Sequence, residues 1–201
     1  MNQGVIQSPP NTKYLYTPPV LRAMTFWSAI GNGISAFWGF FLYWLSILFI
    51  LPFGNLDVLW ILIPIWLNLV FTDLFQEKRG TSLGNAITNG AVMLWVGIDW
   101  ARFLIRNFSD FSGIFAFKVV ICTILVIAGF MIIVEGIKGK KVIQRIARCR
   151  ETSYVMIVLS PLIYNIIQPS WKYFFAIIVF LPVFYFIFEF FDRLVPDVDT
   201  Y

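Results

Sequence analysis

The chain has 201 residues, of which 59% are hydrophobic and 13% are charged, with a formal net charge of +4 and no histidine. Because water-soluble domains usually carry about 25% charged residues and expose only small apolar patches, this composition excludes an ordinary soluble fold and favours a bilayer as the solvent. The missing histidine excludes Ser-His-Asp catalysis, His-ligated zinc and haem held by a proximal histidine.

Along the chain, a polar, Pro-rich tail at residues 1–19 precedes a predicted transmembrane region at 20–191, and a short tail follows at 192–201. About 20 helical residues cross a bilayer, and hydrocarbon accepts only helices or closed barrels, whose alternating ~10-residue segments are not found here. The sequence therefore predicts an all-α, polytopic transmembrane helix bundle with about six spans in the cell membrane. The six apolar stretches lie at 20–51 (the span proper at 35–51), 58–75, 84–105, 113–134, 153–168 and 171–191.

Two of these stretches leave alternatives open. The first is longer than one crossing needs, so residues 20–34 form either the start of the span or a separate interfacial helix. The fifth is short and is interrupted by Pro161, so it either crosses the bilayer fully or enters it only in part.

The distribution of Lys and Arg predicts the orientation of the bundle. If the N-terminus is inside, most of the 15 basic residues lie on inner segments, including a cluster of six in the loop 138–150. The residues left on the outer side are Arg102, Arg106, Lys118 and Lys172. Because cytoplasmic loops are enriched in Lys and Arg, both termini are predicted to be cytoplasmic.

The first helix carries a ridge of small residues at i, i+4 and i+8, formed by Gly31, Ser35 and Gly39. Small residues at this spacing let two helix backbones approach closely. We therefore expect a packing seam, either inside the monomer or between protomers. A seam between protomers makes a second copy or partner membrane subunits the expected protein partners.

Five polar residues inside the predicted spans are the candidates for a functional site. Asn68 and Asp73 lie near the end of the second span, Asn85 and Asn89 near the start of the third, and Asp99 farther along the third. Because a short loop joins these antiparallel spans, the first four residues overlap in depth and are predicted to form one cluster in the cytoplasmic half. The cluster is either a polar pathway or substrate site, or a hydrogen-bond network that holds helices together.

Each carboxylate inside the bilayer needs hydrogen-bond donors, since an unpaired buried charge costs several kcal/mol. For Asp73 we expect donors from the asparagine amides and from Lys78 and Arg79 of the following loop. For Asp99 the expected local partner is Arg102. Lys118, near the start of the fourth span, is expected to reach water with its long side chain.

The loop 138–150 is predicted to be cytoplasmic and to contact anionic lipid head groups. Val142, Ile143 and Ile146 share one side of a helical projection, which indicates a cationic amphipathic segment worth about 1 kcal/mol per basic residue near anionic lipid. Alternatively, the basic residues only determine topology; nucleic acid is not an expected partner. The basic residues are Lys138, Lys140, Lys141, Arg145, Arg148 and Arg150.

No stretch has a catalytic, cofactor or metal signature, so no residue is assigned to those roles and no cofactor is expected. The two cysteines, Cys122 in a span and Cys149 in the basic loop, are not expected to form a disulfide because these places are hard to bridge.

Four functional hypotheses remain. The scarcity of charge inside the spans favours a non-catalytic subunit or scaffold of a membrane assembly. The polar faces of the second and third spans favour a small transport or permeation protein. A third hypothesis is a substrate-binding module of a multi-subunit importer, because the size and span number resemble those of the six-span components of energy-coupling-factor transporters. A membrane-embedded enzyme is the fourth.

Overall fold

A computed structural model describes residues 19–75, 81–108 and 111–194, with side chains from residue 27 onward. All the regular elements in these ranges are helices. A π-helical turn, Ser46–Ile50, and a 3-10 turn, Leu51–Gly54, continue the first helix. The α-helices are α1 (Pro19–Leu45), α2 (Leu56–Phe75), α3 (Leu83–Arg106), α4 (Gly113–Ile137), α5 (Ile143–Ile146), α6 (Cys149–Ile163), α7 (Trp171–Val179) and α8 (Leu181–Leu194).

Four helical stretches are long and apolar enough to cross a membrane: Trp27–Gly54, Leu56–Phe75, Gly113–Ile137 and Trp171–Leu194. The chain is thus all-helical over its described residues and compatible with a membrane. Helix α3 has 24 residues but is more polar than these four, and α6 has only 15 residues.

Several sequence predictions fall partly outside the described residues. Of the predicted N-terminal tail only residue 19 is described, where α1 begins, and α1 then runs without a break through residues 20–34. Lys78 and Arg79, the expected donors to Asp73, lie outside the described residues, as do residues 195–201 of the predicted C-terminal tail.

The chain divides into two compact units, residues 1–39 and residues 40–201. In the first unit, the side chains described from residue 27 to residue 39 are all exposed. The second unit contains helices α2 to α8 and the hydrophobic core. All the polar clusters discussed below lie within this second unit.

Helices α3 and α4 form an antiparallel pair in which glycines let the backbones meet. A Cβ added at Gly129 would lie 2.7 Å from the Leu94 backbone nitrogen and 2.8 Å from the Gly90 carbonyl oxygen, which is too close for any real side chain. Gly97, seven residues after Gly90 on α3, faces Val126. Gly136, seven residues after Gly129 on α4, faces the side chain of residue 87. This pair packs through small residues, as helices in lipid commonly do.

Helix α6 is the centre of the second unit, since most of its side chains are buried. Tyrosine hydroxyls of α6 and α7 each donate a hydrogen bond to the backbone of the other helix. The Tyr173 hydroxyl donates to the Val158 carbonyl, in the turn before Pro161. The Tyr154 hydroxyl donates to the Ile177 carbonyl (2.6 Å), just before the break between α7 and α8. Such bonds satisfy backbone groups that no water can reach.

Candidate functional site

Three of the five predicted polar residues meet near the N-terminal end of α6. The Asn68 amide donates to the Asn89 side-chain oxygen (3.3 Å), and the Thr72 hydroxyl donates to the Asn68 oxygen (3.3 Å). Asn89 is almost fully buried, at 1% exposure, and its amide donates to the Ala147 carbonyl (2.9 Å). These bonds join α2 and α3 to the turn that precedes α6.

Cys149, the first residue of α6, belongs to the same network. Its sulfur accepts a hydrogen bond from the Asn68 amide (3.5 Å) and lies 3.7 Å from the Ser153 hydroxyl. Its position against Asn68 could not be predicted from the sequence, because 81 residues separate the two. The other cysteine, Cys122, is also buried and donates to the Gly97 carbonyl across the α3–α4 contact (3.1 Å).

Asp73 lies beside this network and pairs with Arg150 of α6. Its Oδ1 accepts from the Arg150 Nε (2.6 Å), whereas its Oδ2 has no hydrogen-bond partner among the described residues. The same guanidinium also faces two carboxylates of α8, Glu189 (3.3 Å) and Asp192 (3.9 Å). From its place in the basic loop, Arg150 was expected to contact lipid head groups. In the structure its guanidinium lies among three carboxylates and its side chain is only 16% exposed.

The remaining two predicted residues do not join this cluster. Asn85 is half-buried, and its side chain has no hydrogen-bond partner among the described residues. Asp99 lies at the other end of α3, where its Oδ1 pairs with Arg102 (2.5 Å) and its Oδ2 accepts a hydrogen bond from the Tyr164 hydroxyl. The structure therefore separates Asp99 from Asn89 by ten residues of α3, about 15 Å along the helix axis.

A second polar region surrounds the C-terminal end of α6. The Ile166 N–H donates to the Pro161 carbonyl (2.9 Å) and the Asn165 N–H to the Leu162 carbonyl (3.4 Å), which is the Schellman arrangement that ends a helix. This turn requires a left-handed residue, and Asn165 supplies it with φ of 61°. The turn carries the side chains of residues 164 and 165 towards α3 and α4.

Lys118 of α4 is the unexpected member of this region. Its side chain is 2% exposed, and the ammonium donates to the Asn165 side-chain oxygen rather than reaching water. Sequence reasoning missed Tyr164 and Asn165 because they come from the loop after α6. The usable signal was the Tyr-Asn pair directly after an apolar helix, since Asn favours left-handed helix ends.

Two cavities adjoin at this place. The larger one has a volume of about 390 Å³ and the smaller about 140 Å³, and both are bordered by Phe103, Asn107 and Asn165. The larger cavity is also bordered by Asn55, Asp57, Arg102, Arg106 and Tyr164, and the smaller one by Lys118.

The basic loop and the small-residue ridge are both exposed. Lys138 and Lys140 pair with Glu135, and Arg148 lies 3.7 Å from Glu151. Lys141 and Arg145 are exposed beside two exposed apolar side chains, Val142 (58%) and Ile146 (61%), while Ile143 is buried. Among the described residues, a Cβ added at Gly31 or Gly39 would meet nothing within 4 Å, and the Ser35 hydroxyl donates to the Asn32 carbonyl of its own helix.

The described residues contain no group of three or more Cys, Asp or Glu side chains that could hold a metal ion. No protein-family model matches the chain, and neither a curated protein nor a solved structure is significantly similar to it.

Proposed function

We propose that the chain is a multi-pass protein of the cell membrane, with six crossings and both termini in the cytoplasm. Four of the crossings are the long apolar stretches. Helix α3 is an additional crossing, because it packs antiparallel along α4 from Gly136 to Val126 and therefore extends through the same depth as α4. Helix α6 is the sixth: it is short and polar, but surrounding helices shield it from lipid.

The orientation can be tested with single cysteines at two exposed positions, Asn107→Cys and Lys141→Cys. In sealed vesicles of known sidedness, an impermeant maleimide should label the two positions from opposite faces, Lys141 from the cytoplasmic one. The unsubstituted chain is the control, because Cys122 and Cys149 are buried and should label slowly. Labelling of both positions from one face would overturn the six-crossing arrangement.

Within that arrangement, we propose that the protein acts as a non-catalytic subunit or scaffold of a membrane assembly. The supporting observation is that the buried polar residues at the start of α6 bond to one another and to backbone. Asn68, Asn89 and Cys149 connect three helices and border none of the cavities described above. This is the arrangement expected of polar side chains that hold helices together.

The surface offered to a partner is the ridge of Gly31, Ser35 and Gly39 in the first unit. Its added-Cβ positions are open, whereas the corresponding glycines of the α3–α4 pair are filled by a neighbouring helix. A helix of a second copy or of another membrane subunit can therefore approach the ridge closely. Lipid covers it if no partner exists.

Native mass measurement after gentle solubilisation tests this proposal. We expect a species heavier than the 23.3 kDa chain, and we expect Gly31→Leu with Gly39→Leu to reduce it. Gly33→Leu is the matched control, since Gly33 lies on the opposite side of the same helix and is equally open. A lone chain, or equal loss of the heavier species with both substitutions, would count against the proposal.

A small carrier is the second candidate function, whether a transport protein or the binding module of an importer. The observation in its favour is the pair of polar cavities at the C-terminal end of α6. The same mass measurement distinguishes it, because a carrier would remain a single chain or a homo-oligomer and retain a small molecule.

A further inference from the structure

The cavities at the C-terminal end of α6 contain more positive than negative charge. Three cations border them, Arg102, Arg106 and Lys118. Among the described residues, the lining has one carboxylate, Asp57, and a second, Asp99, pairs with Arg102 from outside the lining. Asp99 already accepts from Tyr164 and pairs with Arg102. Among the described residues, neither Arg106 nor Lys118 forms an ion pair, so no described carboxylate neutralises their charges.

Lys118 is the strongest sign that a ligand is accommodated. An ammonium has three N–H donors, and at 2% exposure this one bonds to a single neutral oxygen, that of Asn165. A buried charge normally has a charged partner or several hydrogen bonds. An anion in the smaller cavity would provide both. Asn107 borders this cavity and also the adjoining larger one, which Arg106 borders.

The negative end of the α6 dipole does not supply the missing charge. It amounts to about half an elementary charge, and the Schellman bonds already engage the Pro161 and Leu162 carbonyls there. With Asp99 counted against Arg102, its partner, the described residues leave a surplus of one positive charge at the cavities. Part of the surplus therefore remains for a ligand.

Position and size restrict the ligand. The cavities lie where α2 begins, α3 ends and α4 begins, so in the six-crossing arrangement they are level with the polar head groups rather than the hydrocarbon. The larger volume, about 390 Å³, is within the range of small-ligand sites. Arginine pairs at one-turn spacing, such as Arg102 and Arg106, suit the several oxygens of a phosphate.

We propose that the two adjoining cavities together bind a phosphate-bearing anion, supplied either by a lipid head group or by a free phosphate compound. Lys118 is the inner contact, Arg106 lies towards the mouth, and Asn107 and Asn165 donate or orient hydrogen bonds. The site is distinct from the proposed scaffold role, because it lies at the end of α6 opposite to the Asn68–Asn89 network.

The test uses the full chain in nanodiscs made of phosphatidylcholine alone or with phosphatidylglycerol, and inorganic phosphate as the soluble probe. Retained phosphatidylglycerol is counted by native mass spectrometry, and phosphate binding by the shift of the unfolding temperature. We expect at least one probe to bind, and Arg106→Gln or Lys118→Met to weaken it about tenfold or more. Lys172→Gln is the matched control. Lys172 is predicted to lie on the same outer side of the membrane, but its ammonium lies over the Tyr43 ring and does not border the cavities.

Lipid retention alone identifies a head-group site, and a phosphate shift alone identifies a site for a free compound; both outcomes support the proposal. Binding of neither probe would overturn it. Equal weakening by Lys172→Gln would also overturn it, because that result indicates attraction to any surface cation. If Lys118→Met does not fold, Arg106→Gln still tests the proposal, because the Arg106 side chain is exposed and its replacement should not affect folding.

Discussion

At the N-terminal end of α6, the guanidinium of Arg150 lies among three carboxylates, whereas at its C-terminal end three cations border cavities whose described lining has one carboxylate. Each surplus has the sign that the helix dipole favours, acidic at the positive end and basic at the negative end. The two ends of α6 differ in how tightly their polar side chains are packed. The first is a packed network that joins helices, and the second adjoins open space, so only the second has room for a ligand.

The largest effect should follow from breaking the closed end with Arg150→Met. This change leaves Asp73, which is 4% exposed, as a buried carboxylate without its cation, and should lower the free energy of unfolding by about 3–5 kcal/mol. Denaturant titration in detergent measures it. Arg193→Met is the matched control, since the Arg193 side chain is 77% exposed, and it should remain close to wild type. Similar losses in both variants would show that Arg150 has no special structural role.

A smaller loss is expected from Asn89→Leu, which removes the donor to the Ala147 carbonyl and the acceptor for Asn68. Leaving one buried carbonyl unsatisfied should lower the free energy of unfolding by about 1–3 kcal/mol. Asn85→Leu, one turn earlier on α3, is the control and should change little. If Asn85→Leu proves as costly, then Asn85 has a partner that its described surroundings do not contain.

The smallest effect on stability should come from Lys118→Met at the open end. Methionine keeps the length of the chain but removes a buried charge, and exchanges of this kind are often neutral or stabilising. Asn165 is exposed and can bond to water instead. We therefore expect an unfolding temperature equal to or above that of wild type, measured without added anion. A clear loss of stability would make Lys118 a structural residue like Arg150.

Sequence reasoning predicted the part of the fold that composition and periodicity determine. An all-helical chain with long apolar helices is confirmed, because lipid compatibility is a property of each segment alone. The six crossings and their orientation stay predictions. The close packing of α3 on α4 is not evident from the sequence, because Gly129 and Gly136 stand in an apolar helix and gain meaning only from the facing backbone.

The candidate site was predictable where contacts are local and not where they are distant. Asn68 and Asn89 are 21 residues apart, on helices joined by one short loop, and the structure brings them together. Arg150 reaches Asp73 over 77 residues, and Asn165 reaches Lys118 over 47. Such pairs depend on which helix occupies the centre of the bundle. The sequence makes α6 the least certain span, yet it is the central helix.

The central position of α6 has a consequence for how the protein is made. In the six-crossing arrangement, a 15-residue segment with Arg150 in its first turn leaves the ribosome before α7 and α8 exist. Because α6 is shorter than a crossing requires, surrounding helices must shield it from lipid. Two of its contacts, from Arg150 to Glu189 and from Tyr154 to the Ile177 carbonyl, form only after α7 and α8 are made, so the last segment synthesised completes the support of an earlier one.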